Sequence, residues 1–208
     1  MKVKTRDRIL ETSLRLFNDI GEPNVTTLLI SEEMSISPGN LYYHFKSKGD
    51  IVTELFGHYQ GEMDDLLDVP EDAVISLEQV ALFTHLTFEA IARYRFLYQD
   101  LVNVLSRHTA LQKRFTGIMD QKIRAFRTII DSLRAQGVMT TDDQTRDALC
   151  QQMGLTLCYW VSYEMLSHLN TRNRIDLGQG VFQVLTLLTP YLTEDGQLQV
   201  RLLADDYL

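Results

Sequence analysis

The sequence has little of several features that mark particular classes of protein. It contains two cysteines and four prolines among 208 residues, with 45% hydrophobic and 23% charged residues, which excludes a disulfide scaffold, a collagen and a disordered chain. No apolar run approaches the ~20 residues that span a bilayer. The longest run, Val181 to Leu192, is interrupted by three polar residues and Pro190. The charged N-terminus has no apolar stretch behind it and predicts no secretory signal, so we expect a cytoplasmic protein without a membrane partner.

The two cysteines, Cys150 and Cys158, lie eight residues apart in a segment with helical periodicity. A rise of ~1.5 Å per residue separates their Cα atoms by about 12 Å, which is too far for a disulfide bond. The spacing predicts two buried free thiols.

Positive charge is also scarce, and the net charge is −8. Residues 1–48 hold seven Lys or Arg and six Asp or Glu, whereas residues 49–208 hold thirteen and twenty-two. Because nucleic acid repels an acidic protein, any contact with DNA has to be local. Charge alone does not indicate a DNA-binding protein.

Helical periodicity runs along the whole chain and predicts an all-α fold. Capping-box patterns begin two of the helices, at Ser76 and at Thr141. The tail, residues 193–208, nearly alternates apolar and polar residues and fits either a short edge strand or a docked end. The predicted helices cover residues 3–20, 27–34, 38–45, 48–68, 77–93, 96–105, 111–136, about 142–170 and 177–192. Short helices followed by long ones predict a small three-helix head, residues 1–47, on a larger helical body, residues 48–208.

Residues 26–48 have the pattern of a helix, a three-residue turn and a second helix. Ser37 is a good N-cap and Pro38 suits the first helical position. A helix that begins Pro-Gly-Asn has an almost bare N-terminal end, so it can approach a phosphate or a groove closely. The polar and aromatic groups opposite its apolar face, with the lysines that follow, are Asn40, Tyr42, Tyr43, His44, Lys46 and Lys48. The pattern predicts a helix-turn-helix with its second helix in a DNA major groove; two helices that merely pack together are the alternative.

At these residues the sequence resembles the TetR family of bacterial transcriptional regulators. The resemblance rests on the run from Ser37 to Lys48 and on the preceding helix, Arg8-Ile9-Leu10-Glu11 with Leu16-Phe17 and Gly21, and it covers about the first 55 residues. The remaining residues match the family in length and all-helical character. The runs Gly21 to Val25 and Tyr94 to Leu101 also resemble a proteobacterial subgroup that includes regulators of polyhydroxyalkanoate genes.

The family resemblance implies roles for single residues of the head. Groups that hold phosphates would be Thr26, Thr27, Tyr42, His44 and Lys48, and groups that face base edges would be Pro38, Gly39, Asn40 and Tyr43. The predicted DNA-binding set also includes Ser37 and Lys46. Since only base contacts specify sequence, Asn40 and Tyr43 are the candidates for base recognition. Two positions depart from the family pattern: Leu28 and Leu29 stand where polar residues are common, and Ser35 stands where glycine is usual, so a positive φ there would be strained.

The long helix over residues 149–166 is apolar on almost every side and has to be covered on two of them. One side can face the core, and the other predicts a subunit interface with the last long helix. The resemblance likewise implies a homodimer through a four-helix bundle. The predicted interface residues are Leu157, Trp160, Met165, Leu177, Val181, Val184, Leu185 and Leu188.

The resemblance also implies an effector pocket between the middle helices of the body. Seven methionines and many aromatic residues suit an apolar or amphipathic small molecule. The candidate lining residues are Tyr59, His85, Phe88, Tyr98, Met119, Phe126, Trp160 and Tyr163; each is also an ordinary core candidate.

Together these observations predict a DNA-binding transcriptional regulator, a dimeric repressor released from a double-stranded DNA operator by a small effector. Two alternatives stay open: a DNA-binding dimer without an effector, and a helical ligand-binding or interaction protein without DNA function. The chain carries no catalytic motif and no His pair at metal-ligand spacing on one helix, so we expect no enzyme activity, cofactor or metal.

Overall fold

A computed structural model describes residues 4–167, 175–205 and 207 of the chain. Within these residues the protein is helical and contains no β-strand, which confirms the predicted all-α class. None of the helices in this part of the chain is long and apolar enough to cross a membrane. The helices are α1 (Thr5–Ile20), α2 (Thr27–Glu33), α3 (Pro38–His44), α4 (Lys48–Leu67), α5 (Leu77–Arg93), α6 (Arg95–Gln99), α7 (Leu101–Arg107), α8 (Thr109–Ala135), α9 (Asp143–Ser167), α10 (Leu177–Leu188) and α11 (Glu194–Asp205).

Helices α1 to α3 form the small head around a shared apolar core. Side-chain caps begin the two short helices: the Thr26 hydroxyl accepts from the Leu29 N–H, and the Ser37 hydroxyl accepts from the Asn40 N–H. These caps matter because helices of seven residues are too short to be stable in water without tertiary support. The fully or almost fully buried apolar residues are Ile9, Phe17, Val25, Ile30, Leu41 and Phe45.

Helix α4 connects the head to the body and packs against both. It begins with a capping box in which the Ser47 hydroxyl accepts from the Asp50 N–H and the Asp50 carboxylate accepts from the Ser47 N–H. Its apolar positions recur at helical spacing and are buried between α1, α5 and α8. Any displacement of α4 therefore affects the position of the head.

The body is a bundle in which α10 packs against α5 and α9, and α8 packs against α4 and α9. Helix α10 approaches its neighbours closely at Gly180. A Cβ atom there would lie 2.9 Å from Trp160 Nε1 and 3.0 Å from the Phe88 ring. The glycine is therefore required for this packing.

Several predicted boundaries in the body need correction. The single helix expected over residues 96–105 is two helices, α6 and α7, which are separated at Asp100. The cap of α9 is Asp142 rather than Thr141, because the Asp142 carboxylate accepts from the Thr145 N–H at 2.7 Å. Helix α10 ends at Leu188, and Pro190 lies in the 3₁₀ turn that follows. Residues 168–170, which were expected to end α9, lie outside the described residues.

The tail forms a helix, α11, so the edge strand considered for it is wrong. Gly196, Val200 and Ala204 are buried at a spacing of four residues, and α11 packs against α5. Leu198 and Leu202 are more than half exposed. These two leucines produced the apparent alternation in the sequence, whereas the spacing of four is the helical signal.

Cys150 and Cys158 are both buried and free, as predicted. Burial raises the pKa of Cys150 to about 11, so this thiol is protonated and unreactive near neutral pH.

Two helix ends have the same geometry with different residues. After α2, Ser35 has φ +54° and the Ile36 N–H bonds back to the Ser31 carbonyl. After α8, Gly137 has φ +71° and the Val138 N–H bonds back to Leu133 in the same way. This Schellman geometry favours glycine, since a side chain is strained at positive φ.

We predict opposite effects for exchanges at these two positions. Ser35→Gly relieves the strain and should raise the free energy of unfolding by about 0.5 to 1 kcal/mol. Gly137→Ser should lower it by about the same amount, because no atom within 4 Å obstructs the added side chain and only φ matters. Urea denaturation measures both. A loss of stability in Ser35→Gly would contradict the strain.

Candidate functional site

The outward face of α3 carries polar and aromatic side chains that the core does not use. Pro38, Gly39 and Asn40 are exposed, and Tyr43 is 79% exposed. On the opposite face Leu41 and Phe45 are buried against α1 and α2. The predicted division of α3 into two faces is therefore present in the structure.

Gly39 has no side chain to cover the N-terminal end of this face, and the fold does not require a glycine there. The atom nearest to a Cβ built on it is Ser37 Oγ, at 3.9 Å. Its backbone does not adopt the positive φ that demands glycine, unlike Gly21 and Gly137. Packing inside the chain therefore does not require glycine at this position.

A rim of hydrogen-bonded polar groups surrounds this face. The Thr27 and Tyr42 hydroxyls lie 2.9 Å apart, and Lys46 Nζ lies 3.3 Å from the Tyr42 carbonyl oxygen. The His44 ring is half-buried and packs edge-on to Tyr43, with ring centroids 5.1 Å apart. Four predicted site residues therefore lie side by side around the face.

Three other predicted positions in the head have different surroundings. Thr26 uses its hydroxyl to cap α2. Leu28 is 53% exposed beside the face, where the family pattern has polar residues, and adds an apolar contact surface. The Lys48 ammonium has partners inside the chain: it lies 2.9 Å from Glu22 Oε1 and 2.8 Å from the Glu22 carbonyl oxygen. The sequence could not show this pairing because the two residues are distant along the chain.

Glu22 is the centre of a charged cluster where the head meets the body. Its side chain is 2% exposed, and its second carboxylate oxygen lies 2.9 Å from Arg107 Nη2 at the end of α7. His108 Nε2 lies 3.7 Å from the first oxygen. Burial raises the pKa of Glu22, but hydrogen bonds and charge attraction from Lys48 and Arg107 outweigh it, and the net pKa is below the ordinary value. The carboxylate is therefore charged when it holds α4 and α7 together.

The end of α1 forms the second part of this junction. Asn18 donates to the Arg93 carbonyl at 2.8 Å and accepts from the Phe96 N–H at 3.0 Å. The Phe17 and Phe96 rings pack with centroids 5.3 Å apart. The head is thus fixed to the body by directional contacts at two places.

The predicted effector residues divide into a buried group and a surface group. The buried ones, Tyr59, Phe88, Tyr98, Phe126 and Trp160, all belong to the body core. The structure does not bring the other three to this core: Met119 is 40% exposed, Tyr163 is 59% exposed, and His85 faces Glu89 and Tyr207.

Sequence reasoning missed Lys122, which lies in the body core beside the buried tyrosines. Its side chain is 1% exposed and its Nζ donates to Tyr98 Oη at 2.9 Å; Tyr98 is in turn hydrogen-bonded to Tyr59. The signal was available, because residue 122 falls four residues after Ile118 and four before Phe126 on the apolar face of α8.

Most of the predicted interface residues are not at the surface. Those that the chain buries completely in its own core are Leu157, Val181, Val184, Leu185 and Leu188. Leu177 is half-buried, Trp160 is 7% exposed, and Met165 is 42% exposed. Apolar periodicity predicts that a residue is buried but not which neighbour covers it, and on α10 the chain's own core covers the predicted interface residues.

A different apolar stripe is exposed on α9. Leu155, Tyr159, Tyr163 and Leu166 follow at helical spacing and are between 46% and 70% exposed. Between this stripe and the polar side of α10 lies an open groove of about 650 Å³. Its lining residues include Leu155, Thr156, Tyr159, Tyr163, Gln179 and Gln183.

We predict that Glu22→Gln lowers the free energy of unfolding by about 2 kcal/mol near neutral pH, since it removes charge-assisted hydrogen bonds to two cations. The pKa of Glu22 is lower in the folded protein. Its contribution is therefore complete above the ordinary pKa of glutamate and is lost as the pH falls through the lowered pKa.

Urea denaturation from about pH 7 downward measures this dependence. Glu33→Gln is the control, because Glu33 also pairs with an arginine but is largely exposed. A loss in Glu22→Gln that stays constant down the acid series would contradict a charged, buried Glu22.

Comparison with known proteins gives matches over nearly the whole chain. A family model for bacterial regulatory proteins of the tetR family matches residues 9–55, and a model for a bacterial transcriptional repressor of the TetR type matches residues 58–200. The HTH-type transcriptional repressor KstR2 of Mycolicibacterium smegmatis is 33% identical over 112 residues, which are 49% of this chain and 51% of that protein. The chain spans about half the length of the curated relatives it matches first.

Solved structures extend the likeness to the complete fold. The crystal structure of a TetR-family transcriptional regulator from Marinobacter aquaeolei VT8 is 37% identical, covers 99% of both chains and superimposes with a TM-score of 0.89. A TetR transcription regulator from Haloarcula marismortui is 14% identical and shares the fold over 90% of this chain, with a TM-score of 0.65. Both parts of the molecule match one family, and the chain belongs to the TetR family of bacterial transcriptional regulators.

Proposed function

We propose that the protein is a dimeric repressor that binds an operator through α3 and is released by a small apolar or amphipathic effector. The observation that carries the proposal is the outward face of α3, where Gly39, Asn40 and Tyr43 are exposed although the fold requires none of them there. One relative, KstR2, is a transcriptional repressor, which supports repression rather than activation. Operator binding would place the protein in the cytoplasm.

The proposed base contacts come from the end of α3 that enters the groove. Asn40 offers an amide that can bond to adenine, and the Tyr43 ring can pack on a thymine methyl group. Pro38 and Gly39 allow the backbone N–H groups to approach, and Ser37 caps the helix behind them.

The proposed phosphate contacts surround these groups. They come from the hydrogen-bonded pair Thr27 and Tyr42, from His44, from the Thr26 end of α2, and from Lys46. Lys48 acts indirectly, since its ammonium orients Glu22 at the junction. The acidic body keeps the rest of the molecule away from DNA.

The units proposed for these tasks are residues 1–47 for DNA binding and residues 48–208 for effector binding and dimerisation. The capping box at Ser47 begins α4 at this boundary. The Glu22 cluster and the Asn18 contacts join the two units across it.

The proposed subunit interface is the exposed stripe of α9, with the open side of α10 beside it. Leu155, Tyr159, Tyr163 and Leu166 form an exposed apolar row of four residues at helical spacing, beside the open groove. Pairing α9 and α10 about a two-fold axis would cover this row and give the dimer two symmetry-related heads. Each α3 then reads one half-site, one helical turn from the other.

Release follows from the connection between core and head. An effector that prefers a body conformation with displaced α4 lowers operator affinity by its difference in binding energy between the two states. Helix α4 carries both a residue of the core, Tyr59, and, at its first residue, the partner of Glu22. The effector needs no contact with the head.

We predict different binding changes for three exchanges on the face of α3. Asn40→Ala should relax the preference at one base pair by about 1–3 kcal/mol. Lys46→Ala should weaken binding to all sequences alike and reduce the salt slope by about one. Gly39→Ala should weaken operator binding without lowering the melting temperature, because the chain leaves room for the added methyl group and alanine favours a helix more than glycine does.

Fluorescence anisotropy with DNA from upstream of the protein's own gene, repeated across salt concentrations, measures these changes. Lys113→Ala on the exposed side of α8 is the charge control. If all three variants bind as the wild type does, two packed helices without DNA function are the better interpretation of the head.

We predict that Leu155→Asp converts the dimer to a monomer and lowers operator affinity, because it places a charge in the apolar row. Leu155 is 59% exposed in the single chain, so the fold tolerates the exchange. Leu202→Asp is the matched control, since Leu202 is 62% exposed on α11. Sedimentation velocity measures the assembly; a dimer that persists in Leu155→Asp would exclude this interface.

A further inference from the structure

Lys122 is a cation in the centre of the body, where apolar residues surround it on its own helix. Ile118 and Phe126, one turn away on either side, are both at most 1% exposed. Replacing such a lysine by a methionine of similar length would cost the fold little or nothing, because buried charges are expensive to desolvate. A role in stability therefore does not account for the lysine.

The polar groups around Lys122 offer many hydrogen-bond donors and few acceptors. The ammonium has three N–H groups, and Tyr98 Oη, at 2.9 Å, is the acceptor that the described residues provide. The Tyr98 hydroxyl is hydrogen-bonded to the Tyr59 hydroxyl, which can also act as a donor. Two of the N–H groups have no acceptor in this part of the chain.

No negative charge compensates Lys122 within the described residues. No Asp or Glu lies within 4 Å of its Nζ there, although ion pairs are frequent elsewhere in the chain. The nearby thiol is Cys158, which is buried. Burial lowers the pKa of Lys122, and it raises the pKa of Tyr98 and of Tyr59. Within the described residues Lys122 is thus a buried basic side chain without an ionic partner.

We propose that Lys122, Tyr98 and Tyr59 together bind the carboxylate of an effector whose remaining part is apolar. A carboxylate only accepts hydrogen bonds, and it can accept from the ammonium and from both hydroxyls at once. The proposal rests on the effector binding proposed above and assigns its chemical class.

The surroundings of the three polar groups suit the apolar part of such a molecule. The Tyr98 ring packs against Phe115 with centroids 5.8 Å apart, and the Tyr59 ring packs against Phe56 and Tyr94. The faces of these rings are apolar surfaces beside the three polar groups. A single carboxylate on a hydrocarbon or an aromatic ring would therefore find both of its environments here.

The site spans three helices: Tyr59 is on α4, Tyr98 on α6 and Lys122 on α8. In the free protein Lys122 is hydrogen-bonded to Tyr98, and Tyr98 is hydrogen-bonded to Tyr59. A carboxylate takes over these bonds and separates Tyr59 from Tyr98. Because Tyr59 belongs to the helix that carries the head, the same carboxylate acts on α4.

The test is isothermal titration of the full chain, without DNA, with decanoate and with 1-decanol. A second pair, phenylacetate and 2-phenylethanol, distinguishes an aliphatic from an aromatic ligand body. We expect one acid to bind at least about tenfold more tightly than its alcohol, as for a hydrogen bond to a charged group. In Lys122→Met this preference is lost, and in Lys122→Arg, which keeps the cation, part of it returns.

Lys113→Met is the matched control, because it removes the same charge from the exposed side of α8 and should keep the preference. Lys122→Met should melt no lower than the wild type, since it removes a buried charge. If Lys122→Met does not fold, Tyr59→Phe is the substitute variant. It keeps the aromatic ring and should weaken the binding of the acid but not that of the alcohol. Failure of operator binding would leave these titrations unchanged. Equal binding of acid and alcohol by the wild type, or a preference that survives in Lys122→Met, would overturn the proposal.

Discussion

The position of the head on the body depends on one buried carboxylate. Glu22 lies in the turn after α1 and is held by Lys48, from the first residue of α4, and by Arg107, from the last residue of α7. Moving either helix away would leave a buried charge without its partner, which is costly. The cluster therefore ties the orientation of the head to the positions of α4 and α7.

Side chains that the packing of the fold does not require occur at one place in the head and at one place in the body. On α3, Asn40 and Tyr43 face solvent where the head needs no side chains of their kind. In the body, Lys122 lies where the core needs no charge. At both places the side chains differ from those that would stabilise the fold best. Such exceptions are concentrated at sites where proteins bind other molecules. Helix α4 connects the two places, because it packs against both α1 and α8.

The predictions for the body that were wrong rest on apolar patterns, which do not specify the neighbour that covers a residue. The spacing of Val181, Val184 and Leu188 correctly predicted an amphipathic helix, yet these residues face the chain's own core. In the tail, Leu198 and Leu202 suggested a strand although they are exposed, and the buried positions follow a period of four. The pairing of Lys48 with Glu22 joins residues 26 positions apart, and no periodicity contains such a contact.

The sequence by itself determined the all-α class, the helix ends marked by Ser37, Ser76 and Gly21, and the two faces of α3. These depend on caps, turns and spacing, which act within about four residues of the chain. Only the tertiary structure decided which apolar residues remain exposed on α9, where Lys48 finds its partner, and that Lys122 meets two tyrosines in the core. Those features depend on how separate helices pack together, and burial and charge pairing are properties of that packing.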